Sequence, residues 1–575
     1  MGDLASDTIR EWERLDSERT TFKSHWQRVA QFLLPDRNDY IVQRTPGAKR
    51  MQWIYDATPV WALEQFAAGL HSLLTSPYLM WFGLKAEFDP LNDIDAVRLW
   101  LEQASTVMYA KFNGPRHNFA SQSQELYRDL GSVGTGVMGV LESAKSGVLF
   151  SCRHLKECVI AENDEDRVDT LIRKWEWTAK QAYDQWDSQG VSSGPAVAKA
   201  CADGEWGRKF WFMHRVRPRR DRDAGRGGEA RHMAFESVYV SVQDQFEIAV
   251  GGYPEFPFLV PRFSKVTGET YGRGPGMTAL PDIQMLNEMA KLVIKAAQKV
   301  IDPPLQLPDD GFMLPIKTVP GGLNYYRANS QGRIEPIETK GDTRLGLDMI
   351  QSLRQQIIRQ FYVEFMMMPS DPSDPASAGK GVTATYVLQQ RDEKMRLLSP
   401  MLARLQSEFL EPLINRTFAI LWRQSKRVGF RPELGSPFPP PPPQLSGAAL
   451  KTDYVSPIAI AQKSSQLDVI GRLMQTQAAI LQMNPKAQVV IDSEAIMRIT
   501  GRDLNAPVAA LRSADDLAQE RQAQQDAEQA LQQHAAIANL AGAAKNGAGA
   551  VQSLASAGAI AQTGGAGAAP QQAAA

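Results

Sequence analysis

Cysteine is scarce in this chain: Cys152, Cys158 and Cys201 are the full set among 575 residues. Three thiols make no disulfide framework, so the reading is a protein that folds in a reducing cytoplasm. A basic excess is missing too. Sixty-three Lys and Arg face 64 Asp and Glu, for a net charge of −1. Tight nucleic-acid binders release counterions through clustered cations, so this balance argues against a clamp on DNA while leaving room for DNA passing nearby. No strongly apolar run reaches the length of about 18 residues that a bilayer requires. Met1-Gly2-Asp3 opens a polar, helical pattern, and no signal peptide is expected. What remains is ordinary: 43% hydrophobic and 22% charged residues, as in globular proteins. The length exceeds what one core usually serves, so about three or four regions are expected.

Helical spacing dominates the first third. Trp12, Leu15, Phe22, Trp26, Val29 and Leu33 predict an amphipathic helix over 6–34, ended by Pro35. Thr58 as N-cap and Pro59 predict a second helix to Leu74. Further helices are expected over 93–112 and 119–130, around the Asn113-Gly114-Pro115 break. From Val137 to Pro261 the pattern is mixed, with strands such as 237–242 and a helix around 178–186. An arginine-rich loop is expected there, carrying Arg215, Arg217, Arg219, Arg220, Arg222, Arg226 and Arg231.

The centre repeats helix, break, helix. Pro281 is expected to open a helix to Ile301, with Ile283, Leu286, Met289, Val293, Ala297 and Val300 on one side. Lys291, Lys295 and Lys299 fall on another face at i, i+4, i+8. A Pro- and Gly-rich stretch follows, with strands expected near 323–327 and 333–337. Asp342 then caps an element whose buried stripe is Ile350, Leu353, Ile357, Phe361 and Phe365. The segment Pro369-Ser370-Asp371-Pro372-Ser373-Asp374-Pro375 cannot be regular helix. A long helix is expected over 383–422, kinked at Pro400 and Pro412. The proline run 437–443 reads as a stiff linker. A smaller helical region is expected over 456–500, then an Ala/Gln helix from Ser513 to Leu540 and a Gly/Ala tail.

Each motif has a plainer reading. Gly134, Gly136 and Gly139 match G-x-G-x-x-G, but the dinucleotide fingerprint needs a strand before it and a helix after it, the reverse of the order expected here. A tight helix-to-strand connection is preferred. Gly379-Lys380 lacks both the Gly and the Ser/Thr of a P-loop. Cys152, His154 and Cys158 could offer three metal ligands where structural zinc wants four, so no metal is assigned. Seven His accompany many carboxylates, yet no nucleophile elbow, zincin helix or kinase set is present. No catalytic residue and no cofactor are assigned. The arginine-rich segment could meet phosphate or an acidic partner; Asp221, Asp223 and Glu229 balance part of it, and a solvated loop is the competing reading. The lysine face has the same alternative.

An ordered series of short segments carries a resemblance. Trp53-Ile54-Tyr55-Asp56-Ala57-Thr58, then Phe66 to Pro77 and Trp81-Phe82, is similar to the N-terminal signature of head-to-tail connecting (portal) proteins of short-tailed, podovirus-type bacteriophages. Asn118-Phe119, 129–136, 271–276, 279–287 and 400–408 extend the similarity over about residues 5–425. The resemblance implies an α+β, mainly helical portal fold of wing, stem, clip and crown, closing as a dodecameric ring. It implies a wing over 1–278, a first stem helix over 279–301, a clip over 302–342 and a second stem helix over 343–365. A DNA-facing tunnel loop over 366–382, a long wing helix over 383–424 and a crown over 425–510 follow, with a C-terminal barrel helix and tail over 511–575. Asp371, Asp374 and Lys380 would then face the channel, and Lys291, Lys295 and Lys299 would form a stem charge belt. The implied function is structural, not enzymatic. Such a ring is the capsid-vertex conduit for double-stranded DNA in packaging and ejection, docking terminase, scaffold, major capsid protein, head–tail adaptor and tail proteins. The implied location is the virion, with assembly in the host cytoplasm and no membrane. Two other readings stay open at this point: a cytoplasmic enzyme with a nucleotide loop at 134–139, and a nucleic-acid-binding protein using the 215–231 arginines.

Overall fold

The computed structural model describes residues 2–42, 47–143, 146–223, 229–301, 305–306, 335–336, 343–366, 398–445, 447, 449–454, 475, 520, 522–532 and 534. They fall into two units, 1–483 and 484–575. In the second, residues 522–532 are helical and exposed, within the helix expected over 513–540.

The expected first helix is two helices, α1 (Gly2–Glu18) and α2 (Thr20–Leu33). They serve different cores. Trp12 and Leu15 join Val159, Ile172 and Met213 on a sheet, while Trp26, Val29 and Leu33 enter the main core. Arg19 sits at the break with its side chain buried, donating to the carbonyls of Leu155, Lys156 and Cys158 at 2.6–2.9 Å. A periodicity argument sees the apolar stripe and not the change of partner.

Three helices build the middle of the main core: α3 (Thr58–Leu74), α4 (Asp95–Asn113) and α5 (Phe119–Val133). Thr58 is not the N-cap. It is the first helical residue, and its amide donates to Asp56 Oδ1 at 2.9 Å. A short strand β1 (Phe82–Ala86) lies between α3 and α4. After α5 come β2 (Met138–Ser143), β3 (Gly147–Cys152), β4 (Cys158–Glu162) and β5 (Val168–Thr178). The helix expected over 178–186 is α6 (Ala179–Gln185), capped by a reciprocal Thr178–Gln181 box, and α7 (Pro195–Ala202) follows. The remaining strands here are β6 (Lys209–Pro218), β7 (Phe235–Ser241), β8 (Phe246–Tyr253) and β9 (Phe258–Leu259). Strands β4 to β8 form one antiparallel sheet in sequence order; β3, β2 and β9 form a smaller one.

The central helix, α8 (Pro275–Ile301), begins earlier than expected and contains Pro281. Within the stretch read as clip, β10 (Leu305–Gln306) pairs antiparallel with β11 (Glu335–Pro336); the strand expected at 323–327 lies outside the described residues. Next come α9 (Thr343–Gln360) and the short α10 (Val363–Met366), separated at Tyr362 with φ +57°. Residues 398–405 are helical, 406–410 form a π turn, and α11 (Glu411–Arg427) continues. The irregularity expected at Pro412 is this widened turn just before it; Pro412 has no amide to return to the helix.

Phe430, Phe438, Leu445, Leu450 and Tyr454, all after 425, pack into the same core as residues of the first 278. Phe438, inside the proline run, is fully buried and lies 5.3 Å from Phe418 and 6.0 Å from Trp100 between ring centres. Trp100 Nε1 donates to the Pro439 carbonyl at 3.1 Å. The last strand, β12 (Leu450–Tyr454), pairs with β1. The run is therefore a packed return strap and not a free linker, and a crown boundary at 425 falls inside the packed unit.

Candidate functional site

Two helices project from this body, and their seat is made of glycine. Gly134 ends α5 with φ +77°, a conformation that costs an L-residue about 1–2 kcal/mol. Its carbonyl accepts from the Phe263 amide at 2.9 Å. Gly274, just before α8, lies so close that a Cβ would stand 2.5 Å from the Leu130 carbonyl and 2.8 Å from the Gly134 amide. A Cβ at Gly276 would stand 2.5 Å from Leu33. Tyr271 is buried beside them, its ring 5.1 Å from Trp26. Backbone therefore crosses backbone where α5 hands over to α8.

This crossing uses up the G-x-G-x-x-G motif. A helix precedes it and a strand follows. The Gly134 amide donates to the Asp129 carbonyl and the Gly136 amide to the Pro261 carbonyl, both at 3.1 Å. Neither is free to cradle phosphate.

Helices α8 and α9 run antiparallel: Gly346 approaches Val293, and Gln360 Nε2 donates to Asp282 Oδ2 at 2.7 Å. Two clasps hold the pair to the body. Asn287 donates to the Trp53 carbonyl at 2.9 Å and accepts from the Tyr55 amide at 2.8 Å. Asp56 accepts from Arg354 at 2.9 Å. Burial alone would raise the Asp56 pKa, but hydrogen bonds from Thr58 and Arg354 outweigh it and hold the carboxyl below its usual range. The clasps use Trp53, Tyr55, Asp56 and Asn287, all from segments that carry the resemblance. Sequence gave no sign of their pairing, because the partners lie more than 200 residues apart in the two Asn287 bonds.

Burial splits along α8. Ile283, Leu286 and Ala290 are buried as the apolar stripe requires, and Met289 and Val293 partly so. Beyond them the stripe leaves the body: Val300 is 60% and Ile301 83% exposed. Met285, Leu292 and Ile294 of α8 and Leu347 and Met349 of α9 are exposed too. On α9, Ile350, Leu353, Ile357 and Phe361 are buried.

The lysines sit on this projecting pair. Lys291 is half-buried, 3.3 Å from Glu288 and 5.9 Å above the Tyr55 ring centre. Lys295 and Lys299 are exposed. Asp371, Asp374 and Lys380 lie outside the described residues.

The arginine segment is corrected. Arg215 and Arg217 belong to β6, not to a loop. Arg215 is fully buried and pairs with Glu11 and Glu236, both at 3.3 Å; it has no face to offer phosphate or a partner. Arg217 shares the same two carboxylates, and Arg219 donates to the Gly251 carbonyl at 2.7 Å. Arg220 and Arg222 are exposed. The strand's alternation puts Arg215 inward, and Glu11 on α1 neutralises it.

Cys152, His154 and Cys158 do not converge. The Cys152 thiol points at Asp129, 3.9 Å away, His154 lies 3.4 Å from Asp39, and Cys158 is in β4. Burial pushes both thiols up and the imidazole down.

One buried junction was not anticipated. The π turn directs Glu408 at Arg262, which donates from its amide at 2.9 Å and from Nη2 at 2.8 Å. Arg262 also meets Glu162. Burial works against its charge, and the bonds with Glu408 and Glu162 more than restore it. This junction ties the helical stretch 398–427 to the sheet.

The family model described as bacteriophage head to tail connecting protein matches residues 5–511. The chain is 30% identical over 491 residues to a "Probable portal protein" of Bordetella phage BPP-1, covering 84% of this chain and 85% of the relative. It is 27% identical over 490 residues to a "Portal protein" of Salmonella phage epsilon15, covering 84% of each. A chain of the virion of a native gene transfer agent particle aligns over 79% of this chain and 94% of its own, at 11% identity and a TM-score of 0.31.

Proposed function

The chain belongs to the bacteriophage head to tail connecting protein family, and on that premise we propose that it is the structural portal subunit of a phage capsid vertex. Copies close into a ring, with twelve as the expected number, and double-stranded DNA enters and leaves through the bore. The observation that carries this reading is the projecting pair α8 and α9. It is rooted in the body by backbone crossing and two clasps, yet leaves Met285, Leu292, Leu347 and Met349 in water. A heterologous contact repeated around an axis covers such surface and closes without an open end.

In this ring α8 and α9 are the stem. Lys291, Lys295 and Lys299 recur once per subunit and form a charged belt. The segment 366–382 is the tunnel loop, with Asp371 and Asp374 repelling the DNA backbone weakly and Lys380 touching it transiently. A conduit has to let DNA slide, which fits a net charge near zero. The helix expected over 513–540 is assigned to a C-terminal barrel. Terminase, scaffold, major capsid protein, adaptor and tail proteins are the docking partners, with assembly in the host cytoplasm and residence in the virion. No described helix is long and apolar enough to cross a membrane.

Electron microscopy of the purified full chain tests the reading: annuli with an axial hole are expected. Persistent monomers, with scaffold present, overturn it. Lys380→Ala is expected to change packaging or DNA retention while rings still form; unchanged packaging and retention remove Lys380 from the channel.

A further inference from the structure

The five-stranded sheet carries a second feature that a conduit does not require. Arg173 of β5, His214 of β6, Tyr239 of β7 and Ala249 of β8 stand opposite one another in a single cross-strand row. The His214 and Tyr239 rings stack with centres 4.0 Å apart and planes 3° from parallel. Arg173 lies over the Trp175 ring, 4.6 Å from its centre. Trp177 points to the same face two residues on, and its ring meets Trp186 at 5.4 Å. Because Ala249 ends the row with a small side chain, these groups wall a cavity of about 350 Å³, inside the range of small-ligand sites.

Its charge is one-sided. Arg153 and Arg173 line it, and no Asp or Glu does so among the described residues. Glu157 pairs with Arg173 at 3.0 Å. Arg153 is mostly buried, yet among the described residues no side-chain hydrogen bond or ion pair reaches its guanidinium. Glu157 is near enough to favour its charge, but burial and the neighbouring Arg173 press the other way and lower its pKa. His214 is pushed down to about 3 by burial and by the two arginines, so it is neutral and competes for no anion. A buried cation without a bonded counter-ion is costly, and aromatic walls beside a guanidinium suit a flat ring bearing negative charge.

We propose that this cavity binds a small planar aromatic anion, its ring among Trp175, Trp177, Trp186 and the His214–Tyr239 stack and its carboxylate on Arg153. The site lies within one chain and does not depend on ring closure.

Titration calorimetry on the full chain tests it, with indole-3-acetate as the probe and indole as its neutral counterpart. Saturable binding at one site per chain is expected, with indole-3-acetate tighter than indole by about tenfold or more. Arg153→Gln is expected to bring the acetate down to the level of indole, and Ala249→Leu, which fills the space, to abolish binding of both. Absence of saturable heat up to about 1 mM, equal affinity for the two probes, or undiminished affinity in Arg153→Gln overturns the proposal. Should Arg153→Gln fail to fold, Ala249→Leu decides alone, and binding retained there overturns it.

Discussion

The body and the projecting helix pair finish their structure at different levels. In the body, most apolar stripes end on buried partners, and the most deeply buried arginines are bonded. Arg19, Arg215 and Arg262 are each buried and each bonded. The pair α8 and α9 obeys the same rules only near its root; at its far end Val300 and Ile301 face water. In the proposed ring this is the surface that a neighbouring subunit would cover.

Four substitutions sharpen this contrast, ordered by expected cost to the unfolding free energy of the isolated chain. Glu408→Ala leaves Arg262 buried without its main partner and is expected to cost about 3–5 kcal/mol, read as a lower urea midpoint; a loss under about 1 kcal/mol would mean that Glu162 alone suffices. Gly134→Ala puts a Cβ into the Arg273–Gly274 backbone at positive φ and is expected to cost about 1–3 kcal/mol. It should also loosen the root of α8, seen as faster amide exchange over 275–290.

Asp56→Asn is expected to cost about 1 kcal/mol, a modest figure because Arg354 is half-exposed. Its pH dependence has a definite sign. The folded pKa is depressed below the ordinary 3.8, so the wild-type advantage is full above that value and is lost as pH falls through the lower folded value. An advantage that grows in acid would contradict the clasp. Leu292→Lys is expected to change monomer stability by less than about 0.5 kcal/mol, because Leu292 is 60% exposed, while reducing ring yield in micrographs. Intact rings at normal yield would move the subunit contact away from this face.

The order of elements was legible from local pattern. Proline and glycine breaks placed α3, α4 and α5 to within a few residues, and the stripe Ile350, Leu353, Ile357 and Phe361 is buried as its spacing requires. The errors have one cause. At Arg19 one amphipathic stripe changes partner; at Phe438 a proline-rich run packs because one aromatic finds Phe418 and Trp100. At Arg215 a run of cations is divided by the end of β6: Arg215 and Arg217 share one strand face and two carboxylates, while Arg220 and Arg222 lie past the strand in water. Local pattern records the faces of an element, not what covers them.

By itself the sequence determined the order and approximate extent of most helices, because turn residues and apolar periodicity act over a few neighbouring positions. It also settled the family, through short segments in a fixed order. Tertiary structure decided which charges are spent. Arg262 with Glu408, Asn287 with Trp53 and Asp56 with Arg354 join residues more than 140 positions apart. Whether a buried ion is stabilising or costly depends on the group folding brings to it, and no local pattern encodes that distance.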